Sequence, residues 1–522
     1  MRATNMKKTN SMTRVLLAPM MAVALLLLTA TAFAAAPGIT GPAFNLTAQP
    51  AFTTQPDGSL VYSWGYGCAS APSGFAPAGI TGTCSNMQVP GPTLIVTQGN
   101  TVSVTLTNGL PVAAGNTSIL FPGFNVTATG GVAGLLTQEA APGNPVTYTF
   151  TATTPGTRSY YSGTQGDLQV EMGLYGAIIV LPAGVPAACT TGVHANNLTA
   201  KAANQVHAGT EGDFRLAAAA YNHAQACYDR EYLFQFSEMD PRIHRQAEEQ
   251  STRTCTGCMN VATEPYVPAY FMINGRSMPD DMDGNYAPQY PHQPYNGNPH
   301  MHPGELVLLR IIGQGRWQHP FHEHGNHVRV LARDGNLILS ATDANSLAGP
   351  LLFTTTTTPG QAIDGIFYWT GKGLNWDPYG HGASVTSATC TPDANGYNTG
   401  APTAINYFEW CQDHNKPLQA FPFGDVAGGG PATLPNPNIL ANGAWYGGSP
   451  YLGPEATVRA VGSTGTTPPS GTVANSPTDE AGFAFMWHSH NEREITTNNI
   501  FPGGMMMMML VDSREFVIDE NN

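Results

Sequence analysis

The chain has 522 residues, of which 42% are hydrophobic and only 11% charged, with 58 glycines and 42 prolines. Its formal net charge is −14, and no Lys/Arg cluster occurs beyond the N-terminus, which argues against nucleic acid or an anionic membrane surface as a partner. Low charge and abundant turn residues disfavour a helical cytosolic architecture and fit a β-rich exported chain large enough for several cores.

Residues 1–36 have the pattern of a secretory signal peptide. Arg2, Lys7, Lys8 and Arg14 precede an apolar run over 15–28, and Ala32-Phe33-Ala34 supplies a small-x-small cleavage site. The alternative is a retained anchor, for which the apolar run is short, and no other segment is apolar enough to span a bilayer. The expected product is secreted, with no membrane span once the signal is removed.

Residues 37–183 form a first β-block. Within 93–107 two alternating strands flank Gly99-Asn100, 146–152 alternates again, and 176–181 is a continuous apolar strand. Residues 184–229 read as an Ala-rich linker whose best helical candidate is 214–220. Residues 230–522 form a second β-block, with strands expected at 231–236, 305–312, 327–332 and 505–511. Two long insertions, about 240–300 and 374–480, interrupt it, and insertions of that length often serve as lids or packing appendages. The run from Met505 to Met509 invites a copper reading because thioethers are soft ligands. Alternate side chains on a closing strand would nonetheless be core filler.

The eight cysteines suggest disulfides in an exported chain, most simply 68–84, 189–227, 255–258 and 390–411. Cys255-Thr256-Gly257-Cys258 also has the spacing of a redox motif, but no strand–helix pattern of a thioredoxin-like unit surrounds it, so a structural staple is expected.

Two H-x-H motifs carry the chemistry. His322 and His324 lie within His319-Pro320-Phe321-His322-Glu323-His324-Gly325, and His488 and His490 within Trp487-His488-Ser489-His490. On a strand, alternate side chains share a face, so each pair points one way and two adjacent strands would gather four imidazoles. Imidazole is a ligand for copper, zinc, iron or nickel. The bland reading is a buried polar pocket satisfied by hydrogen bonds. His319 and His327 are as well explained by packing as by ligation. Glu323, Glu492 and Glu494 are candidates to fix imidazole tautomers or are simply loop charges. His300-Met301-His302 and His381 are weaker candidates.

These motifs resemble the multicopper oxidases. His319-Pro320-Phe321-His322-Glu323-His324-Gly325 matches that family's H-P-x-H-x-H-G, and His488-Ser489-His490 matches its H-C-H except at the centre. Pro90-Gly91-Pro92-Thr93, Gln98-Gly99-Asn100, Pro155-Gly156-Thr157 and the segment 173–180 fall in the family's order in the first block. The resemblance implies an all-β protein of two cupredoxin-like Greek-key β-sandwich or barrel domains, with long insertions in the second. It also implies copper as cofactor and a small-molecule or metal-ion substrate of unknown identity.

The departures limit the function that the resemblance implies. Where the family's first domain supplies H-x-H-G and H-x-H, this chain has Leu120-Phe121-Pro122-Gly123 and Tyr161-Ser162-Gly163, and no histidine precedes His194. Ser489 stands where the family has the thiolate of the blue copper. By homology the blue position would hold His319, Ser489, Glu494 and Met505, and the cluster position His322, His324, His488 and His490. The implied site holds one or two copper ions rather than four. Three readings follow. The first is a secreted copper-binding protein with limited or no oxidase activity. The second is an active copper-dependent oxidoreductase whose ligands are completed by an insertion or a neighbouring subunit, which would make it a homo-oligomer. The third is a structural or surface protein that keeps the cupredoxin scaffold without metal. No catalytic residue is assigned.

Overall fold

The computed structural model describes residues 36–203, 211–373, 390–404, 406–412, 448–452, 481–512, 514, 517 and 518. The expected signal segment and His381 lie outside them.

Alternating strands pair into four large sheets among the described residues, and the sheets pack in twos. The first pair uses strands from Gly38–Thr40 to Tyr175–Leu181. One of its sheets has the order Gly156–Tyr161, Tyr175–Leu181, Leu94–Thr97, Gly38–Thr40, Phe75–Ala76. The other has the order Leu60–Cys68, Ala43–Thr54, Thr101–Asn108, Pro145–Thr151, Thr127–Gly130. The turn expected at Gly99-Asn100 separates Leu94–Thr97 from Thr101–Asn108, with Gly99 at φ +91°. Val102, Val104 and Leu106 alternate inward and meet Leu94, Val96, Ile178 and Val180 of the facing sheet around Trp64. This is the half-buried alternation of a sandwich.

The second pair runs from Arg230–Met239 to Met506–Asp512. Its larger sheet is built on Arg230–Met239, Leu306–Gly313, Ala362–Tyr368 and Val328–Arg333. The facing sheet orders His300–Met301, Met506–Asp512, Ala481–Ser489, His319–Glu323 and Thr354–Thr357. Phe234, Phe236, Val307, Ile311 and Phe367 meet Phe321, Phe485, Trp487, Met505, Met507 and Met509 in one core. The methionine run is therefore mainly core filler, as its period-2 placement predicts. The chain is all-β in class, with two cupredoxin-type sandwiches.

The two sandwiches meet through buried polar bonds. Asp364 accepts from Thr157 Oγ1 at 2.6 Å and from Tyr221 at 2.5 Å, and Arg310 Nη1 donates to the same threonine at 3.0 Å. Ser159 bonds Gln314, and Tyr175 bonds Ser237, both at 2.8 Å.

All four expected disulfides form, and no cysteine is free. One helix expectation fails. Residues 214–220 are irregular, and the helix between the sandwiches is Gly192–Ala203. The alanines propose a helix, but Ala219 bridges Cys227, Leu216 N donates to Glu231, and the Cys189–Cys227 bond ties the segment down. Tertiary anchoring overrides propensity here.

Candidate metal centre

The site is set by the register of two antiparallel strands. His319–Glu323 pairs with Ala481–Ser489 so that His322 lies directly opposite His488, Phe321 opposite Ser489, and Glu323 opposite Trp487. Pleating sends His319, Phe321, Glu323, Trp487 and Ser489 to one face and His322, His324, His488 and His490 to the other. His490 N donates to Pro320 O at 2.8 Å, which holds the end of the ladder closed.

The four imidazoles gather on the outer face. Ring centroids are 4.8 Å apart for His322–His324 and for His322–His490, 5.2 Å for His324–His488, and 5.6 Å for His322–His488. His324 Nε2 and His488 Nε2 are 3.3 Å apart. Two nitrogens each ~2 Å from one ion at a tetrahedral angle would be separated by ~3.3 Å. His488 Nδ1 is turned to Ser489 O at 2.7 Å, and His322 Nδ1 to Thr354 Oγ1 at 2.7 Å. These bonds fix which nitrogen each ring presents. His322 and His488 are buried, His324 is half-buried and His490 is exposed, so the cluster runs from a buried edge to an exposed one.

Among the described residues, no three His, Cys, Asp or Glu side chains already have the spacing of a metal shell. Both observations hold at once. The rings converge, and the His324–His488 edge brings its nitrogens to ligand separation.

The electrostatics favour neutral rings. Burial, followed by the fields of His324, His488 and His490, pushes His322 down to about 4. Burial also lowers His488, and His490 adds to it. A neutral imidazole keeps the lone pair that a metal needs.

The inner face is different. His319 Nδ1 is 2.9 Å from Glu494 Oε2, and its Nε2 is 2.9 Å from Glu238 Oε2. Ser489 Oγ donates to Glu494 Oε2 at 2.5 Å, and Asn491 donates to Glu494 Oε1 at 2.9 Å. Glu238 Oε1 accepts from the backbone N–H of Arg316 and of Trp317 and from Tyr266. Burial is the largest influence on His319 and acts downward, but the bonds to Glu238 and Glu494 and their charges outweigh it, raising His319 to about 9. At neutral pH it is an imidazolium held between two carboxylates, with both nitrogens donating and no lone pair to offer a metal.

The homologous blue position is therefore assembled in space but chemically refitted. His319, Ser489 and Glu494 do come together, yet they bond to one another and to Glu238. Met505 is fully buried in the core, and its backbone closes the loop by bonding to Ser489 N and Glu494 O. Glu323 does not orient an imidazole. It faces the core, accepts from Thr355 at 2.6 Å, and burial raises it to about 8. His327 packs on Phe353, ring centroids 5.2 Å apart. His300 and His302 are paired with Asp512 and Glu211, at 2.6 and 2.7 Å. Leu120 and Tyr161, which stand where first-domain ligands would be, bridge each other.

Glu238 and Tyr266 were not legible as site residues. They lie 81 and 53 positions before His319. A second carboxylate, Glu238, in the fully buried Arg230–Met239 strand was the available signal.

Fold and site together define a double β-sandwich with an imidazole cluster on its second half. Residues 76–184 match the family model described as multicopper oxidase. A 100-residue stretch is 36% identical to laccase abr2 of Aspergillus fumigatus, covering 19% of this chain and 16% of that protein. The match to the multicopper oxidase family model thus lies in the first sandwich. Among solved structures, a multicopper oxidase designated mgLAC is 15% identical, covers 92% of this chain and 88% of its own, and has a TM-score of 0.43. A blue copper oxidase from Nitrosomonas europaea is 15% identical over 90% of this chain and 85% of its own, with a TM-score of 0.42. Likeness at that level says nothing about the chemistry of the site.

Proposed function

We propose that this chain is a secreted copper-binding protein of oxidase descent, with an imidazole-only site for one or two copper ions and little or no oxidase activity. The observation that carries this reading is the direct pairing of His322 with His488, which gathers four imidazoles on one face while Ser489 turns away. Imidazoles suit copper, and the exposed edge at His490 leaves a position for an outside ligand. His322, His324, His488 and His490 would hold the ion. Bound copper would supply one-electron redox chemistry and Lewis acidity at that edge.

The blue position does not fit copper, because a serine hydroxyl and a doubly bonded imidazolium replace thiolate and imidazole. Without that centre, nothing on the inner face passes electrons to the imidazole cluster, which supports weak turnover. Four disulfides support export, since such bonds persist in oxidising compartments. No helix among the described residues is long and apolar enough to cross a membrane.

The test is metal analysis of purified, copper-loaded protein, with oxygen uptake on a phenolic donor. One or two copper ions per chain and oxygen uptake near background support the reading. Rapid oxygen uptake would favour a completed active site, for which the exposed edge at His490 leaves room. Absence of bound copper would favour a purely structural role.

A further inference from the structure

Of the four disulfides, three have a buried half: Cys68 is 8% exposed, Cys189 1%, Cys227 4% and Cys411 3%. Cys255–Cys258 differs. Cys255 is exposed and Cys258 half-exposed, and the bond spans a sequence separation of 3, against 16, 38 and 21 for the others. Its ring is Cys255-Thr256-Gly257-Cys258, with Gly257 at φ +63° making the turn. The loop follows helix Pro241–Gln250 and lies on the first sandwich, where Gly257 N donates to Val112 O at 3.0 Å and Met259 N to Ala113 O at 2.9 Å. Beyond the ring the chain is pinned separately, by Asn260 to Gln250 and by Thr263 to Asp167. Opening the ring therefore leaves the rest of the loop anchored. Arg253 Nη1 donates to Cys258 O at 3.2 Å, which places a guanidinium on the backbone of Cys258.

We infer that Cys255–Cys258 is a thiol–disulfide exchange site that reacts with a dithiol partner. Three features support it: access to one sulfur, a cation on the backbone of Cys258, and a ring beyond which the chain is pinned independently. An incoming thiolate attacks Sγ of Cys255, the exposed sulfur, and the S–S bond breaks. Cys258 leaves as a thiolate, with the Arg253 guanidinium bonded to its own carbonyl oxygen, and nearby positive charge stabilises a departing thiolate. The partner's second thiolate then attacks the mixed disulfide and releases Cys255. Two electrons and two protons pass to the chain, which ends as two thiols, and the partner ends as a disulfide. In the other three bonds at least one half is buried and neither cysteine is fully exposed, so Cys255 is the most accessible point of attack.

The test uses the full folded chain. It is treated with graded dithiothreitol, quenched with N-ethylmaleimide and mapped by mass spectrometry. Cys255 and Cys258 should become labelled at dithiol concentrations about tenfold below those that label any other cysteine. A thioredoxin variant lacking its resolving cysteine should be trapped as a mixed disulfide on Cys255. Arg253→Gln should slow reduction roughly threefold while the fold is retained. Labelling of Cys255 and Cys258 only together with the other six, or capture at another cysteine or at none, would overturn the proposal.

Discussion

Ser489 Oγ donates to Glu494 Oε2 at 2.5 Å on the face of the strand opposite the imidazole cluster. The same carboxylate holds His319, so the place a blue copper would take is a closed ionic network instead. The pleat separates the two sites: Ser489 looks inward, and its neighbours His488 and His490 look outward.

Copper-loaded protein should therefore lack the intense thiolate-to-copper absorption of a blue centre. Ser489→Cys alone should not create it, because Glu494 still occupies an imidazole position and His319 remains engaged. Visible spectra of the parent and the variant check this. An intense blue band in the parent would show that a cysteine reaches the metal.

Stability should depend on His319 in a defined pH window. Its folded value is raised to about 9, above the ordinary 6.5, so its contribution is fully present below about 6.5. That contribution falls away as pH rises from about 6.5 to 9, by up to roughly 3 kcal/mol. Thermal melts from pH 6 to pH 10 should show this loss, and His319→Gln should flatten it. A variant with the same alkaline slope as the parent would contradict the assignment.

Acid should act through His322 in the opposite sense. Its folded value is depressed to about 4, so the unfolded chain takes up a proton first as pH falls below about 6.5. Stability should drop between about pH 6.5 and 4 in metal-free protein, and His322→Phe should weaken that dependence. Melts across this window, in the presence of a chelator, provide the check.

The seam between the sandwiches should depend on Asp364. Replacing it with Ala removes acceptors from Thr157 and Tyr221 and leaves the buried Arg310 without one of its two acidic neighbours. A loss of about 2–3 kcal/mol is expected, the cost of leaving the buried Thr157 and Tyr221 donors without their acceptor. Denaturant titration would test it, and a loss below about 1 kcal/mol would show that Glu231 alone suffices.

Much of this was legible in the primary structure because it is periodic or local. Strands alternated, Gly99-Asn100 marked a turn, and the H-x-H spacing put imidazoles on one face. The pairing of His322 with His488 came only from resemblance, since 166 positions separate them. The partners of His319 were hidden for the same reason. Glu238 reaches it from another sheet, and no local pattern encodes such a contact. Residues 214–220 misled because alanine content reports helix propensity and not the disulfide and side-chain anchors that hold that segment.

The most direct measurement is copper titration of the His322→Ala/His488→Ala double variant beside the parent, by calorimetry with metal analysis. The account predicts stoichiometric binding by the parent and its loss in the double variant, with the melting temperature of the metal-free fold little changed. Equal copper binding by both proteins would contradict it and place any metal site elsewhere.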